Sequence, residues 1–172
     1  LDGLELFIKS PGIAYNELVR EVQSRKIELI DEIELAYRYS KGKFRIIAVT
    51  GTNGKTTTTS KIAGLLEEAG FRVEAGGNIG KAFAQIVLEE KTLDFVVLEL
   101  SSYQLENLKE FKVDLSLLIN LSPDHMDRYE KEEDYYLAKF NIKNNATEKD
   151  FFVLNLDSKE SLELYKKGKE QL

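Results

Sequence analysis

The stretch "IIAVTGTNGKTTTT", residues 46–59, constrains the fold more than any other part of the chain. An apolar run ends in a glycine-rich loop at residues 51–54, and a helical pattern starts directly after it. Glycines allow backbone N–H groups to turn towards an anion, and the first turn of a helix adds partial positive charge. The order of strand, glycine loop and helix therefore predicts a phosphate-binding loop.

Two side chains of this loop suit a nucleotide and its metal ion. Lys55 can reach the β- and γ-phosphates of ATP, and the Thr56 hydroxyl can bind Mg²⁺. The common pattern G-x-x-x-x-G-K-[ST] is not met, because Val49 stands six residues before Lys55; the chain has the shorter form G-x-x-G-K-T. The residues predicted to bind the nucleotide are Gly51, Thr52, Asn53, Gly54, Lys55, Thr56 and Thr57. The alternatives are a glycine-rich turn with a surface lysine and, for Thr57, simple helix capping.

Apolar runs alternate with helical patterns along almost the whole chain. Runs rich in Val, Ile and Leu, such as "DFVVLEL" at 94–100, predict strands buried on both sides. Such strands, separated by helices, predict an α/β fold: a mostly parallel sheet with helices on both faces and a P-loop NTPase-like central domain. Helices are predicted over 102–111 and 131–146, and a linker at "KGK", residues 41–43. Ligands bind beyond the carboxyl ends of the strands in such sheets, so polar residues directly after apolar runs are candidate site residues.

Composition narrows the class of protein. The chain has 172 residues, of which 42% are hydrophobic and 31% charged, so it can bury a core. The net charge of −6, with acids and bases interleaved, argues against a general nucleic-acid binder. The absence of cysteine excludes a disulfide framework and fits a reducing compartment, and no apolar run approaches the length of a membrane span. The chain begins at Leu1 rather than Met, and we expect it to be a piece of a longer protein.

Two further strands end in candidate ligands. Glu99 follows an apolar run, where ATPases of this architecture place a carboxylate that holds Mg²⁺; a carboxylate facing water on an edge strand is the alternative. Ser101 and Gln104 come just after it and would line the same cleft. In "GGNIG", residues 76–80, the glycines allow close approach of the backbone to a ligand, and Asn78 would point into the cleft. An ordinary loop before a helix explains "GGNIG" equally well.

The stretch "INLSPDHMDRY", residues 119–129, contains the chain's single histidine, His125. It follows a predicted central strand, which delivers Asn120 and His125 to the same edge as Glu99. A neutral imidazole can bind a metal ion, although Mg²⁺ prefers oxygen, so a surface turn remains the alternative. Lys139 lies on the next helix between Ala138 and Phe140. These apolar neighbours allow partial burial, but a lysine that extends its amine to solvent is the simpler interpretation.

Taken together, these segments resemble the Mur ligase family, the ATP-dependent amide-forming enzymes of peptidoglycan precursor synthesis. The resemblance covers about residues 4–157, and "TGTNGKT" is shared with the related folylpolyglutamate synthetases. "LELSSYQLE" and "DHMDRY" resemble the D-glutamate-adding branch of the family. The segments that carry the resemblance are "TGTNGKTTT" (50–58), "GGNIG" (76–80), "LELSSYQLE" (98–106), "NLSPDHMDRY" (120–129) and "AKFNI" (138–142).

The resemblance implies substrates and a mechanism. ATP would phosphorylate the carboxylate of UDP-N-acetylmuramoyl-L-alanine, and the amine of D-glutamate would attack the acyl phosphate. Two Mg²⁺ sites are implied, one held by Thr56 and Glu99, the other by His125 and by Lys139 in carbamylated form. The resemblance gives catalytic roles to Lys55, Lys139 and His125, and substrate contacts to Asn78, Ser101 and Gly12.

The resemblance also divides the chain. The family has three domains, so residues 1–41 would be the remnant of a UDP-sugar-binding domain and residues 42–172 a truncated central ATP-binding domain. We expect the full-length protein to be a cytoplasmic monomer with no nucleic-acid or membrane partner, and the piece alone to be inactive. Residues 158–172 match no family motif. The alternatives are another Mur-type ligase, a folylpolyglutamate synthetase-like enzyme, or a non-catalytic nucleotide-binding module.

Overall fold

A computed structural model of the chain describes residues 1–124, 129 and 131–169. The strands in this part of the chain are β1 (Leu6–Lys9), β2 (Glu28–Asp31), β3 (Arg45–Thr50), β4 (Val73–Gly77), β5 (Phe95–Glu99), β6 (Leu115–Leu118) and β7 (Phe151–Leu154). The α-helices are α1 (Glu17–Ser24), α2 (Glu32–Ser40), α3 (Lys55–Glu68), α4 (Phe83–Leu88), α5 (Glu132–Phe140) and α6 (Lys159–Lys169). Single turns of 3₁₀ helix occur at Tyr103–Leu105 and Asn141–Lys143. No helix in the described residues combines the length and the apolar character that crossing a membrane requires.

The N-terminal segment forms a small parallel unit. Strands β1 and β2 pair in parallel, and α1 connects them across one face. Asn16 caps α1, because its side chain accepts the N–H of Val19 at 3.0 Å. The apolar side of α1 packs Val19 and Val22 on Leu29 of β2.

The larger unit is a five-stranded sheet in the order β4-β5-β3-β6-β7, and every pair is parallel. The predicted α/β fold with a mostly parallel sheet is therefore confirmed. Strand β3 lies between β5 and β6. The chain leaves β3 towards β4 on one side of the sheet and later crosses to β6 on the other side, so the loop after β3 lies at the point where the strand order reverses. Such switch points are where sheets of this kind bind ligands.

Side chains alternate between two covered faces of this sheet. Ile47 and Val97 point to one face, where they pack with Ala63 of α3. Ala48 and Leu98 point to the other face and share a core with α2 and α4. Burial on both faces explains why these strands are continuously apolar.

The predicted helix over 102–111 is wrong apart from the 3₁₀ turn. Downstream of that turn, the N–H groups of residues 109–111 donate to the carboxylate of Glu34, at 2.9–3.1 Å, and not to carbonyls one helical turn earlier. The carbonyls of Lys109 and Phe111 accept from Nδ2 of Asn145, both at 2.9 Å. Side chains distant in sequence thus form the hydrogen bonds that these backbone N–H and carbonyl groups would otherwise form within a helix.

The predicted helix over 131–146 is also shorter than expected. Helix α5 ends at Phe140 and continues only as the 3₁₀ turn. Asn141 donates its side-chain amide to the carbonyl of Leu105 at 3.0 Å, so the asparagines here bind neighbouring segments.

Candidate functional site

The loop between β3 and α3 begins and ends with glycines that no other residue could easily replace. Gly51 has φ +154°, and a Cβ there would lie 3.2 Å from Cβ of Ile119 and 3.3 Å from backbone atoms of Asn120. Gly54 has φ +82° and is the N-cap of α3. It has no side chain that could accept a hydrogen bond from the N–H groups of the helix. The first N–H groups of a helix have no partner within the helix, so this end of α3 suits an anion.

Lys55 and Lys139 converge on one carbonyl oxygen of this loop. Nζ of Lys55 donates to the carbonyls of Gly51 at 3.0 Å and Thr52 at 2.9 Å. Nζ of Lys139 donates to the same oxygen of Gly51 at 2.9 Å and lies 4.6 Å from the centre of the Tyr135 ring. The two lysine side chains therefore meet at the base of the loop.

Lys139 is buried, with 1% of its surface exposed. The interpretation as a lysine that extends to solvent is therefore wrong. Burial, together with the charge of Lys55, lowers the pKa of Lys139 to about 7, although Asp124 opposes this shift. A large fraction of Lys139 is thus a neutral amine, and so nucleophilic, near neutral pH.

Thr56, Glu99 and Asn78 form a second cluster beside the loop. Glu99 ends β5, an internal strand, and is 2% exposed, so the alternative of a carboxylate facing water on an edge strand is excluded. Its Oε2 accepts the hydroxyl of Thr56 at 2.8 Å, and its Oε1 accepts Nδ2 of Asn78 at 3.0 Å. The N–H of Asn78 also donates to the backbone carbonyl of Glu99 at 2.8 Å. Residues that follow β3 and β4 therefore meet the last residue of β5, as expected from the parallel sheet.

The geometry of this cluster suits Mg²⁺. Octahedral Mg²⁺ binds oxygen at about 2.0–2.1 Å, which separates neighbouring ligand oxygens by about 2.9 Å. The Thr56 and Glu99 oxygens already lie 2.8 Å apart. No three carboxylate or histidine side chains within residues 1–124, 129 and 131–169 are grouped to hold a metal ion alone. One carboxylate and one hydroxyl match a Mg²⁺ site that is completed by water and substrate phosphates.

Gly77 makes the approach between β4 and Glu99 possible. It has φ +105°, and a Cβ at this position would overlap the backbone carbonyl oxygen of Glu99. Gly77 of "GGNIG" thus serves close contact between two strands, and that contact aligns Asn78 with the carboxylate.

Asn120 lies just after the end of β6 and holds the loop between β3 and α3. The sequence indicated the location of this residue but no role for it. Its Oδ1 accepts the N–H groups of Thr52 at 3.2 Å and Asn53 at 3.0 Å, and its Nδ2 donates to the carbonyl of Asn53 at 2.9 Å. The signal for this residue was its location just after a central strand.

The remaining predicted residues lie around this centre. Ser101 is hydrogen-bonded to Gln104, whose Oε1 accepts both the N–H and the hydroxyl of Ser101 at 3.0 Å. Gly12 lines a pocket of about 800 Å³ together with Tyr103, Tyr129 and residues of α5. In the described part of the chain, the hydrogen bonds that join the loop, Glu99 and Asn78 include neither Gly12 nor Ser101. Thr57 is exposed in the first turn of α3, and His125 lies outside the described residues.

Comparison with known proteins agrees with this fold. The family model described as "Mur ligase middle domain" matches residues 49–172. The chain belongs to the Mur ligase family.

Among its relatives, the UDP-N-acetylmuramoylalanine--D-glutamate ligase of Fusobacterium nucleatum subsp. nucleatum is 54% identical over 163 residues. The protein of the same name from Cytophaga hutchinsonii is 44% identical over 165 residues. These alignments cover 93% and 95% of this chain but 38% and 36% of the relatives. The chain therefore spans well under half the length of the curated relatives it matches.

Solved structures share the fold at lower sequence identity. A Neisseria meningitides ligase named UDP-N-acetylmuramate:L-alanyl-gamma-D-glutamyl-meso-diaminopimelate ligase matches with a TM-score of 0.63 and 16% identity, over 95% of this chain and 55% of that one. The MurF ligase of Thermotoga maritima, solved in complex with ADP, matches with a TM-score of 0.62 and 18% identity, over 96% of this chain and 45% of that one.

Proposed function

We propose that the chain is part of an ATP-dependent, ADP-forming ligase of peptidoglycan precursor synthesis, which joins D-glutamate to UDP-N-acetylmuramoyl-L-alanine. The observation that carries this proposal is the 54% identity, across 93% of the chain, to a ligase of that name. The site geometry is consistent with it, because a phosphate loop and a Mg²⁺-compatible pair lie side by side.

The proposed reaction has two steps. A carboxylate oxygen of UDP-N-acetylmuramoyl-L-alanine attacks the γ-phosphorus of ATP, which gives an acyl phosphate and ADP. The amine of D-glutamate then attacks the acyl carbon, loses a proton, and the tetrahedral intermediate expels phosphate to leave an amide. Both steps move negative charge between oxygens, so fixed positive groups stabilise them.

Lys55 and the start of α3 would supply that positive charge. In the structure Lys55 donates to carbonyls of its own loop, and we expect it to exchange these contacts for β- and γ-phosphate oxygens. Thr56 and Glu99 would hold one Mg²⁺, which neutralises phosphate charge when bound.

Lys139 is proposed as a carbamylated ligand of a second Mg²⁺, together with His125. Carbamate formation joins the neutral amine to CO₂ and releases one proton, so it requires an unprotonated lysine. The lowered pKa of about 7 supports this role for Lys139. The carbamate would turn a cation into an anionic oxygen ligand, which Mg²⁺ prefers.

The wider assignments remain part of the proposal. Asn78, Ser101 and Gly12 would contact the substrate, residues 1–41 would complete a UDP-sugar-binding domain, and residues 42–172 would form most of the central ATP-binding domain. The full-length ligase would be a cytoplasmic monomer without nucleic-acid or membrane partners, and the 172-residue piece alone would not ligate.

The decisive experiment measures phosphate release by the full-length protein with ATP, UDP-N-acetylmuramoyl-L-alanine and D-glutamate, with the 172-residue chain beside it. Lys55→Ala should lower the D-glutamate-dependent rate by at least 100-fold, because the γ-phosphate loses its lysine. Lys61→Ala, at an exposed lysine of the same helix, should leave the rate within twofold. Full activity of Lys55→Ala would refute the phosphate-loop assignment, and release that ignores D-glutamate would refute the proposed substrate.

A further inference from the structure

We propose that Asn120 is the positioning residue of the phosphate loop, and that it divides the loop N–H groups into two sets. The N–H groups of Thr52 and Asn53 belong to Asn120 with or without nucleotide. Those of residues 54–57 are left for the phosphates. This inference rests on the proposed ATP-dependent function and adds which donors bind the nucleotide and what fixes them.

The first support is the hydrogen bonding of the Asn120 side chain. One amide oxygen accepts two successive backbone N–H groups of the loop, and the amide nitrogen donates to the carbonyl of Asn53. The backbone carbonyl of Asn120 also accepts from the N–H of Thr52, at 3.1 Å. Asn120 therefore holds two N–H groups of the loop, those of Thr52 and Asn53, and one carbonyl, that of Asn53.

The second support is the tight contact between the loop and the end of β6. Thr50 is in register with Leu118, and the N–H of Ile119 donates to the carbonyl of Thr50 at 3.0 Å. A Cβ at Gly51 would lie only 3.2–3.3 Å from atoms of Ile119 and Asn120, closer than an ordinary contact. The pairing of β3 with β6 thus continues into the loop and carries Asn120 to its position.

A neighbouring contact strengthens the same attachment. The hydroxyl of Thr52 donates to the carbonyl of Ser122 at 3.1 Å and accepts the N–H of Ser122 at the same distance. It also lies 3.2 Å from the hydroxyl of Tyr135 on α5. The first half of the loop is therefore held on the segment 120–122 and is not available to rearrange around a phosphate.

The second half of the loop has the opposite character. Gly54 adopts a left-handed conformation, and no side chain in the described residues caps the N-terminus of α3. The N–H groups of the first helical turn have no intrahelical partners. The N–H groups of this half are therefore available to a phosphate.

Amide hydrogen exchange, resolved to single residues by fragmentation mass spectrometry of the full-length protein, tests this division. In the ligand-free protein the amides of Thr52 and Asn53 should already be protected. Mg²⁺ with the ATP analogue AMPPNP should slow exchange at residues 54–57 at least tenfold and change Thr52 and Asn53 less than twofold. Rapid exchange of Thr52 and Asn53 without nucleotide, or strong protection of them on its addition, would overturn the role of Asn120.

Variants separate positioning from general stability. Asn120→Ala should raise exchange at Thr52 and Asn53 at least tenfold and raise the KM for ATP about tenfold, with the KM for the UDP-linked substrate within twofold. The control is Asn145→Ala, since Asn145 also makes two hydrogen bonds from its side chain to backbone carbonyls but lies away from the loop. This control should leave the exchange rates of Thr52 and Asn53 and the KM for ATP within twofold.

The outcomes distinguish this inference from the proposed function. Unchanged exchange and an unchanged KM for ATP in Asn120→Ala refute the positioning role while the ligase assignment stands. If AMPPNP protects no amide of the loop in the wild-type protein, the nucleotide-binding function itself fails. If Asn120→Ala does not fold, the wild-type exchange pattern alone decides the question.

Discussion

Asp31 is a buried carboxyl at the start of α2 whose two oxygens have different surroundings. Oδ1 accepts the N–H groups of Ile33 at 3.1 Å and Glu34 at 3.2 Å, whereas Oδ2 has no hydrogen-bond partner among the described residues. Burial raises the pKa of Asp31 to about 7 from 3.8, although the two backbone donors oppose the shift. Of the nearby charged groups, Glu32 raises this pKa and Lys9 lowers it.

The raised pKa makes the free energy of unfolding depend on pH. Between pH 4 and 7 the folded protein holds a proton on Asp31 that the unfolded chain has released, so stability falls as pH rises. Asp31→Asn keeps the accepting oxygen and removes the ionisation. Relative to wild type, we expect this variant to gain roughly 3 kcal/mol of stability between pH 5 and pH 8, measured by urea unfolding.

A second variant tests the cause of this gain. Asp31→Ser caps the helix without a charge. Its difference from wild type in the free energy of unfolding should change with pH as that of Asp31→Asn does, although its value at any one pH will differ. A difference between wild type and both variants that stays constant with pH would show that Asp31 is ionised normally in the folded state.

Single residues differ in how far the sequence could predict them. Glu99 was predictable, because a carboxylate after an apolar run lies at the carboxyl edge of a parallel sheet. The burial of Lys139 was not, since its depth depends on how α5 packs on the loop, and the local pattern allowed a solvent-facing lysine. The hydrogen bonds of Asn120 depend on the register between β3 and β6, which one sequence does not define.

Helix α2 is attached to the connection between β5 and β6 by one buried carboxylate. Glu34 is 0% exposed and accepts the N–H groups of Lys109, Glu110 and Phe111 as well as Nε of Arg38, the last at 2.9 Å. Burial opposes ionisation of Glu34, but these donors outweigh it and hold its pKa below the usual value. Local helical periodicity over 102–111 could not reveal this, because the competing acceptor lies about 75 residues earlier.

Replacement of this carboxylate should loosen the connection. Glu34→Gln removes the charge and turns an amide N–H₂ towards backbone donors, so we expect a loss of about 2–4 kcal/mol in the free energy of unfolding. The matched control is Glu21→Gln, which removes a half-exposed ion pair with Arg25 and should change stability by less than about 1 kcal/mol. Equal effects of the two substitutions in urea unfolding would contradict the anchoring role of Glu34.

At the scale of the whole molecule, the sequence predicted the class of sheet but not its strand order. Alternating apolar runs and helices require parallel strands with helices on both faces, and this was confirmed. The order β4-β5-β3-β6-β7 depends on which helices share a core, as α2 does with α4. That order places Glu99 on one side of the loop between β3 and α3 and Asn120 on the other.

Because the proposed Mg²⁺ site includes Glu99, we expect the stabilisation of the protein by bound nucleotide to depend on this residue. In the wild-type protein, Mg²⁺ with AMPPNP at 100 times its Kd should add about 2.7 kcal/mol, which raises the unfolding midpoint by roughly 5–10 °C in a thermal scan. Glu99→Gln keeps the size of the side chain and an oxygen for Asn78 but loses the charge that is proposed to bind Mg²⁺. Its midpoint without nucleotide should stay within about 3 °C of wild type. Addition of Mg²⁺ to its AMPPNP complex should produce no further rise.

Glu68→Gln, at an exposed carboxylate near the end of α3, should respond as wild type does. A full Mg²⁺-dependent rise in Glu99→Gln would mean that the metal ion is held elsewhere, and the pair of oxygens on Thr56 and Glu99 would then serve only to join α3 to β5.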